Sequence, residues 1–340
     1  MNPSFSFIVP VYNRPEEVRE LLESLVIQSY SKPFEIVIVE DGSTVSSESI
    51  VRSFQEASNA TSAITISYYL KKNTGPGDSR NYGMSMAKGD YFIILDSDCI
   101  LPPNYLEEVE KSLSKDFVHC YGGPDAAHSS FSLIQKSINY AMTSVLTTGG
   151  IRGNKKAVGK FQPRSFNMGI SKQAFESTKG FGLIHPGEDP DLTFRIWQKG
   201  YSTKLIPEAY VFHKRRIDWN KFLKQVSKFG KVRPILNKWH PGTAKITYWF
   251  PTIFTLGLVV SLLLFVLGIP LPLYLYVLYY ILIFLDSLLK NRNLVIALWS
   301  LLAVSIQFFG YGLSFLKSSI LVNFSNRKPE QLFPELFFKP

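Results

Sequence analysis

The sequence predicts an α/β domain built on a mostly parallel, Rossmann-like sheet, followed by an α-helical membrane region. Three observations predict it. Apolar runs of about five residues alternate with helical patterns from Phe5 to Leu95, as in parallel sheets covered on both faces. Polar residues gather at the carboxyl ends of those runs, where ligands of such sheets sit. Most of the apolar excess lies after Ile246, in long uncharged stretches. Hydrophobic residues make up 46% of the 340 residues and charged residues 19%, and this uneven split excludes a disordered chain, a collagen-like repeat and a wholly soluble enzyme.

Phe5 to Tyr12 reads as a buried strand. Pro15 then opens a helix with Glu16 and Glu17 in its first turn and Val18, Leu21, Leu22 and Leu25 as its apolar stripe. Glu35 to Val39 is a second strand, ending in Glu40-Asp41-Gly42-Ser43, and a helix follows to about Ala57. Ile64 to Tyr69 is a third strand, and the loop Asn73 to Gly77 leads into a helix from about Asp78 to Ala87. Tyr91 to Leu95 is a fourth strand that runs into Asp96-Ser97-Asp98. Beyond Gly122 the chain is irregular, with a helix expected near Phe131 to Leu146 and a return strand near Phe166 to Ser171. A further helix is expected from an Asp189-Pro190 cap to Lys199. The catalytic-type domain is thus expected over residues 1–215. Cys99 and Cys120, the two cysteines, form no disulfide framework and read as reduced thiols in a cytosolic domain.

The net charge is +10, and a single stretch, Lys214 to Lys245, holds ten Lys/Arg against one acid, Asp218. Such a block points to a polyanion, either nucleic acid or an anionic membrane surface. Lys221, Lys224, Lys228 and Lys231 share one helical face, while Phe222, Val226 and Phe229 share another. Directly before a membrane segment, this pattern predicts a basic interfacial helix or linker over 216–245 that touches membrane lipids rather than nucleic acid. About three transmembrane helices are expected within 246–324, at 246–268, 270–289 and 294–316, with Gln307, Gly310 and Gly312 leaving the third open to an interfacial or re-entrant reading. The positive-inside rule puts the basic block and Lys290/Arg292 in the cytoplasm, so three spans would carry the tail, 325–340, to the far side. Met1 to Val11 lacks a basic n-region, so the N-terminal part is expected to stay on the side where it is made. The expected location is a plasma or inner membrane, multi-pass, with the catalytic domain cytoplasmic.

Several clusters carry chemistry. Asp96 and Asp98 at a strand end suit Mg²⁺ or Mn²⁺, which take oxygen ligands together with substrate phosphates. Glu40-Asp41 repeats the pattern one strand away and can accept hydrogen bonds from a base or ribose, or can simply form an Asp-Gly turn. Arg80 opens a helix after a glycine-bearing loop, a setting that favours phosphate, although a surface arginine also fits. Glu188-Asp189-Pro190-Asp191 opens another helix and offers either a cap or a general base. His213 follows a strand-like run and is a metal ligand or a plain surface histidine.

Pro10-Val11-Tyr12-Asn13, Glu40-Asp41-Gly42-Ser43-Thr44, Arg80-Asn81-x-Gly83, Asp96-Ser97-Asp98 and Gly187-Glu188-Asp189-x-Asp191-Leu192-x-x-Arg195 occur in the order and rough spacing of family 2 glycosyltransferases, which the chain resembles over about residues 4 to 215. The resemblance implies a GT-A fold and an inverting transfer from a nucleotide-diphosphate sugar, with Mg²⁺ or Mn²⁺ as cofactor. By position it implies that Pro10, Tyr12 and Asp41 hold the base and ribose, that Arg80 faces the phosphates, and that Asp96 lies near the ribose or sugar. It makes Asp98 and His213 the metal ligands, Asp189 the base, and Glu188 and Asp191 acceptor or supporting residues. Two departures stand out: Glu40 where the family often has Asp, and Arg195-Ile196-Trp197 without the Gln-x-x-Arg-Trp motif of processive synthases. Addition of one sugar to a lipid-linked or saccharide acceptor is therefore expected, in capsule, O-antigen or glycolipid assembly, in a bacterial cell. Rival readings are a phosphatase or phosphotransferase using Asp96 and Asp98, a dinucleotide-binding reductase at Gly75-Pro76-Gly77, which lacks the full glycine spacing, and a non-catalytic membrane-associated sugar-nucleotide-binding protein.

Overall fold

Alternation decides which face each residue of the central strand serves. Phe5, Phe7, Val9 and Val11 point to one apolar cluster and Ile8 to another, so the strand is buried on both sides. The computed structural model describes residues 3–59, 63–126, 131–149, 160–213 and 218–338. In chain order the elements are β1 (Phe5–Val11), α1 (Pro15–Val26), β2 (Phe34–Asp41), α2 (Glu48–Asn59), β3 (Ile64–Lys71), α3 (Pro76–Met86), β4 (Tyr91–Leu95), β5 (Cys99–Ile100), α4 (Tyr105–Lys115), β6 (Cys120–Gly122) and β7 (Asp125–Ala126). They continue with α5 (Leu133–Thr143), α6 (Val145–Thr148), β8 (Asn167–Ser171), α7 (Lys172–Thr178), α8 (Glu188–Gln198), β9 (Thr203–Leu205), β10 (Val211–His213), α9 (Trp219–Trp239), α10 (Phe250–Val266), α11 (Leu271–Asn291), α12 (Leu294–Phe324) and α13 (Pro329–Leu332).

Among the described residues, a seven-stranded sheet has the order β3-β2-β1-β4-β8-β6-β9. The first four of these strands pair in parallel, as the alternation of strands and helices requires. β8 runs antiparallel to both β4 and β6, so the sheet is mixed on that side. α1 and α4 bury Leu21, Leu22, Tyr105 and Val109 against one face, and α3 and α8 bury Met84, Leu192 and Ile196 against the other. A second sheet orders β5-β10-β7, with His213 opposite Cys99 in an antiparallel register. This is the GT-A arrangement. One expected boundary moves: α8 starts at Glu188 with Gly187 as its cap, so Asp189 and Pro190 lie inside the first turn and do not cap it. Three acids, Glu188, Asp189 and Asp191, then share a helix N-terminus, where the helix dipole favours negative charge.

The chain divides into two compact units. The first carries both sheets. The second gathers α5 and α6, which are inserted between β7 and β8, with α9 to α13. In the second unit Phe222, Val226 and Phe229 of α9 pack with Ile138, Phe254, Ile283, Val304 and Phe308, so the apolar face of the basic helix is covered by protein. α10 with its preceding turn, α11 and α12 are long and apolar enough to cross a membrane. Phe337 and Phe338 belong to the first unit: Phe337 forms an antiparallel bridge with Ile184, and the Phe338 amide donates to the Leu183 carbonyl at 3.1 Å. This corrects the expectation that the tail lies across a membrane from the catalytic domain, because a segment hydrogen-bonded to that domain shares its compartment.

Candidate active site

The loops that follow β1 and β2 lock each other. Asn13, in the left-handed region at φ 54°, accepts through its side-chain oxygen from the Thr44 amide at 2.8 Å and the Val45 amide at 3.0 Å, and its own amide donates to Ser43 Oγ at 2.8 Å. Glu40 is fully buried and accepts from the Ser47 amide at 2.9 Å and from the hydroxyls of Ser43 and Ser47. Glu40 is therefore committed to holding this loop. Its neighbour Asp41 turns toward the loop before α3 and accepts from the Thr74 amide, the Gly75 amide and Lys71 Nζ, at 3.0, 3.0 and 2.9 Å. Pro10 sits on β1 opposite Val39, and Tyr12 stands half-exposed beside these loops.

The end of β4 carries the second group. Arg80 is buried and bridges two carboxylates, Asp96 at 2.7 Å and Glu188 at 3.0 Å, with its guanidinium 5.3 Å from the Phe181 ring centroid. Glu188 also meets His185 Nδ1 at 2.9 Å. Burial alone would raise the Glu188 carboxyl, but His185 and Arg80 outweigh it and bring it down to about 2. Asp189, one residue on, is treated differently. Burial raises it, Glu188 adds to the rise, and Arg164 at 3.4 Å with the charge of Arg80 only partly opposes this, so its carboxyl titrates above the usual range. Two adjacent carboxyls thus have affinities for protons pushed in opposite directions, a pattern of acid–base sites.

The register of β10 against β5 brings His213 to Asp98: Nε2 lies 3.1 Å from Asp98 Oδ1 and 3.9 Å from Asp96 Oδ2, and the ring stacks on Phe166. The other Asp98 oxygen is held by Arg14. Burial opposes the charge on Asp98, yet His213 and Arg14 hold it well below the usual carboxylate range. Asp98, Cys99 and His213 offer ligand atoms within 4.8 Å of one another. Apart from its ion pair with His213 Nε2, Asp98 Oδ1 has no hydrogen-bond partner among the described residues, and His213 Nδ1 is buried there without one. A carboxylate oxygen and an imidazole fit Mn²⁺ or Mg²⁺. Cys99 does not: burial pushes its thiol far up, and its Sγ donates to the Phe166 carbonyl at 3.4 Å.

Asp96, Asp98, Arg80, Glu188, Asp189 and His213 are therefore linked through shared charges at one end of the sheet. Asp191 stands apart, paired with Arg195 at 2.7 Å on the same helix, while Arg195 donates to the Thr178 carbonyl. That pair braces α8. The sequence reading missed Arg164, His185, Lys71 and Phe338. A Cβ placed on Gly75 would collide with the Phe338 ring, which also lies 5.9 Å from His185. Thus a residue from the tail packs on the loop that Asp41 anchors.

Comparison with known proteins decides the family. The model of "Glycosyl transferase family 2" matches residues 6–178, half of the chain. The chain belongs to glycosyl transferase family 2. The match includes Asp41, Arg80, Asp96 and Asp98 and ends before Glu188, Asp189 and His213. An uncharacterised glycosyltransferase of Rickettsia bellii is 30% identical over 62% of this chain and 30% of its own length. The poly(ribitol-phosphate) β-N-acetylglucosaminyltransferase TarS of Staphylococcus aureus is 37% identical over 28% of this chain and 16% of its own length. These alignments span less than a third of the curated relatives' length. A solved mannosyltransferase from Pyrobaculum calidifontis, in complex with GDP-Man and Mn²⁺, has a TM-score of 0.59 at 17% identity over 91% of this chain and 88% of its own, and this likeness is one of fold.

Proposed function

We propose that this chain is a membrane-bound inverting glycosyltransferase that moves one sugar from a nucleotide-diphosphate sugar to a lipid-linked or saccharide acceptor. The observation that carries the proposal is the convergence of Arg80, Asp96, Asp98, His213, Glu188 and Asp189 at the carboxyl end of the parallel strands of a family 2 domain. The nucleotide sugar named with the Pyrobaculum structure supports a donor of this class, and the name of the Staphylococcus relative supports an acceptor in cell-surface polymer or glycolipid synthesis.

In this reading Pro10, Tyr12 and Asp41 receive the base and ribose, and Asp96 lies near the ribose or sugar. Arg80, fixed by Asp96 and Glu188, stabilises the charge that develops as the diphosphate leaves. Asp98 and His213 would hold Mg²⁺ or Mn²⁺, which when bound neutralises diphosphate charge. The acceptor oxygen forms a bond to the anomeric carbon as the bond to the diphosphate oxygen breaks, and its proton passes to Asp189. The raised affinity of Asp189 for a proton suits that role, while Glu188 remains ionised to orient Arg80. One displacement inverts the centre. Asp191 acts indirectly, by bracing α8.

Three apolar helices and the basic stretch around α9 support residence in a membrane, and the asymmetric placement of Lys and Arg supports a cytoplasmic catalytic unit at the inner or plasma membrane of a bacterium. A thermal-shift screen of nucleotide-diphosphate sugars with Mn²⁺ tests the proposal. A donor that raises the melting temperature of the wild type but not of Asp98→Ala supports it. No shift with any nucleotide sugar contradicts it.

A further inference from the structure

Three helices of the second unit are long and apolar enough to span a bilayer, over 21, 21 and 31 residues. We propose that only two of them cross: α10 and α11 form a hairpin through the membrane, while α12 lies along the surface on the catalytic side, half-immersed in lipid. This rests on the membrane-bound reading above and goes beyond it by naming which surface meets lipid.

The two halves of α12 touch segments that both come from the catalytic side. α5 leaves the first unit after β7 and returns to it at β8, and its Ser137 Oγ donates to the Ile296 carbonyl at 3.3 Å, near the start of α12. α9 is the next element after β10 in the chain and runs beside the other half. A Cβ on Gly310 would press on Leu223 and Val226 of α9 at 2.8 Å. Ser318 Oγ donates to the Lys231 carbonyl at 2.6 Å, and Lys238 Nζ to the Val322 carbonyl at 2.8 Å. Ile296 and Val322 are roughly 39 Å apart along a helix rising 1.5 Å per residue. That exceeds the roughly 30 Å of a hydrocarbon core, so a crossing α12 would carry one of these contacts to the far side.

The exposed apolar side chains agree. On α12 they are Leu294, Val295, Leu298, Trp299, Leu302, Leu313, Ile320 and Phe324, and at 3.6 residues per turn they fall within an arc of roughly 140°. The opposite face is buried, as at Val304, Phe308 and Phe315. A helix lying in the interface has one lipid face and one covered face of this kind. On α10, by contrast, exposed Val259, Val260, Leu262, Leu263, Phe265 and Val266 surround the helix, as lipid on all sides requires.

The rest of the chain is consistent with two crossings. Phe337 is bridged to Ile184 in the catalytic unit, so the path from α9 to Phe337 crosses an even number of times. With the hairpin alone crossing, Lys290, Arg292, Lys317, Arg327 and Lys328 lie on the same side as the basic α9, and the turn from Leu267 to Pro270, which holds no charge, lies on the other. The partner of the α9–α12 surface is an anionic lipid headgroup layer, met by exposed Lys221 and Lys224.

The test uses the full chain in sealed right-side-out and inverted membrane vesicles, with a membrane-impermeant maleimide. Cys99 and Cys120 are buried, so single surface cysteines report alone. Glu107→Cys marks the catalytic unit, Ile269→Cys the hairpin turn and Asn326→Cys the end of α12. The expected result is that Glu107→Cys and Asn326→Cys label in the same vesicle orientation and Ile269→Cys in the other. Labelling of Asn326→Cys opposite to Glu107→Cys overturns the proposal in favour of three crossings. Labelling of all three together overturns the crossing hairpin. Recovery of the wild type in the soluble fraction overturns the membrane-bound reading itself and this inference with it.

Discussion

Replacing Arg80 with methionine removes the cation that joins Asp96 to Glu188 while keeping a side chain of similar length over Phe181. Arg80 is 3% exposed and Glu188 4%, but Asp96 is 32% exposed, so one of the two carboxylates can regain water. Breaking a buried ion pair costs about 3–5 kcal/mol, and the partial exposure of Asp96 puts this site near about 3 kcal/mol. In a catalytic unit of this size the melting temperature should fall by roughly 6–12 °C. The loss must also depend on pH. In the wild type Glu188 is held at about 2, below its unfolded value, so its contribution is present above roughly pH 4.3 and is lost as pH falls toward 2. In Arg80→Met, burial acts on Glu188 with His185 as its remaining partner, so its folded value rises and protonation relieves the variant. The gap between wild type and variant should therefore be widest near neutral pH and close on acidification from about pH 5 toward pH 3. Differential scanning fluorimetry of the purified full chain in detergent across that range measures it. A loss under about 1 kcal/mol, or a gap that stays constant with pH, would refute the buried Asp96–Arg80–Glu188 bridge.

Two further outcomes follow from the same geometry. Arg164→Ala removes a charge that lowers the proton affinity of Asp189, so the acid limb of the kcat/KM profile should move to higher pH, and an unmoved limb would separate Asp189 from the titrating base. Phe338→Ala unpacks the tail from Gly75, so the KM for donor should rise about threefold or more with kcat within about twofold, whereas an equal fall in both kcat and kcat/KM would place Phe338 elsewhere in the reaction.

The local part of this structure is legible in the sequence. Each of the first four strands is an apolar run closed by turn residues, and Asn13, Asp41, Asp96 and Asp98 lie where those runs end, so their clustering follows from a parallel sheet alone. What depends on distant pairing was not legible in the residues alone, and the meeting of His213 with Asp98 was expected only from the family resemblance. The antiparallel entry of β8, the register that sets His213 against Asp98, and the approach of Arg164 to Asp189 join positions separated by long irregular segments without a periodic signal. Helix ends were misread for related reasons. Asp189-Pro190 has the composition of a cap, but the helix begins one residue earlier at Glu188, and Lys317 looks like a boundary although α12 continues to Phe324. The tail carries no motif, and its place beside Gly75 is set by tertiary contacts.

The measurement that bears most directly on the whole account is a comparison of Asp189→Asn with the wild type, following sugar transfer and donor binding on the same preparation. The account predicts that transfer falls by about 10²-fold or more while the Kd for the nucleotide sugar with Mn²⁺ stays within about threefold. Transfer at the wild-type rate by Asp189→Asn would contradict it.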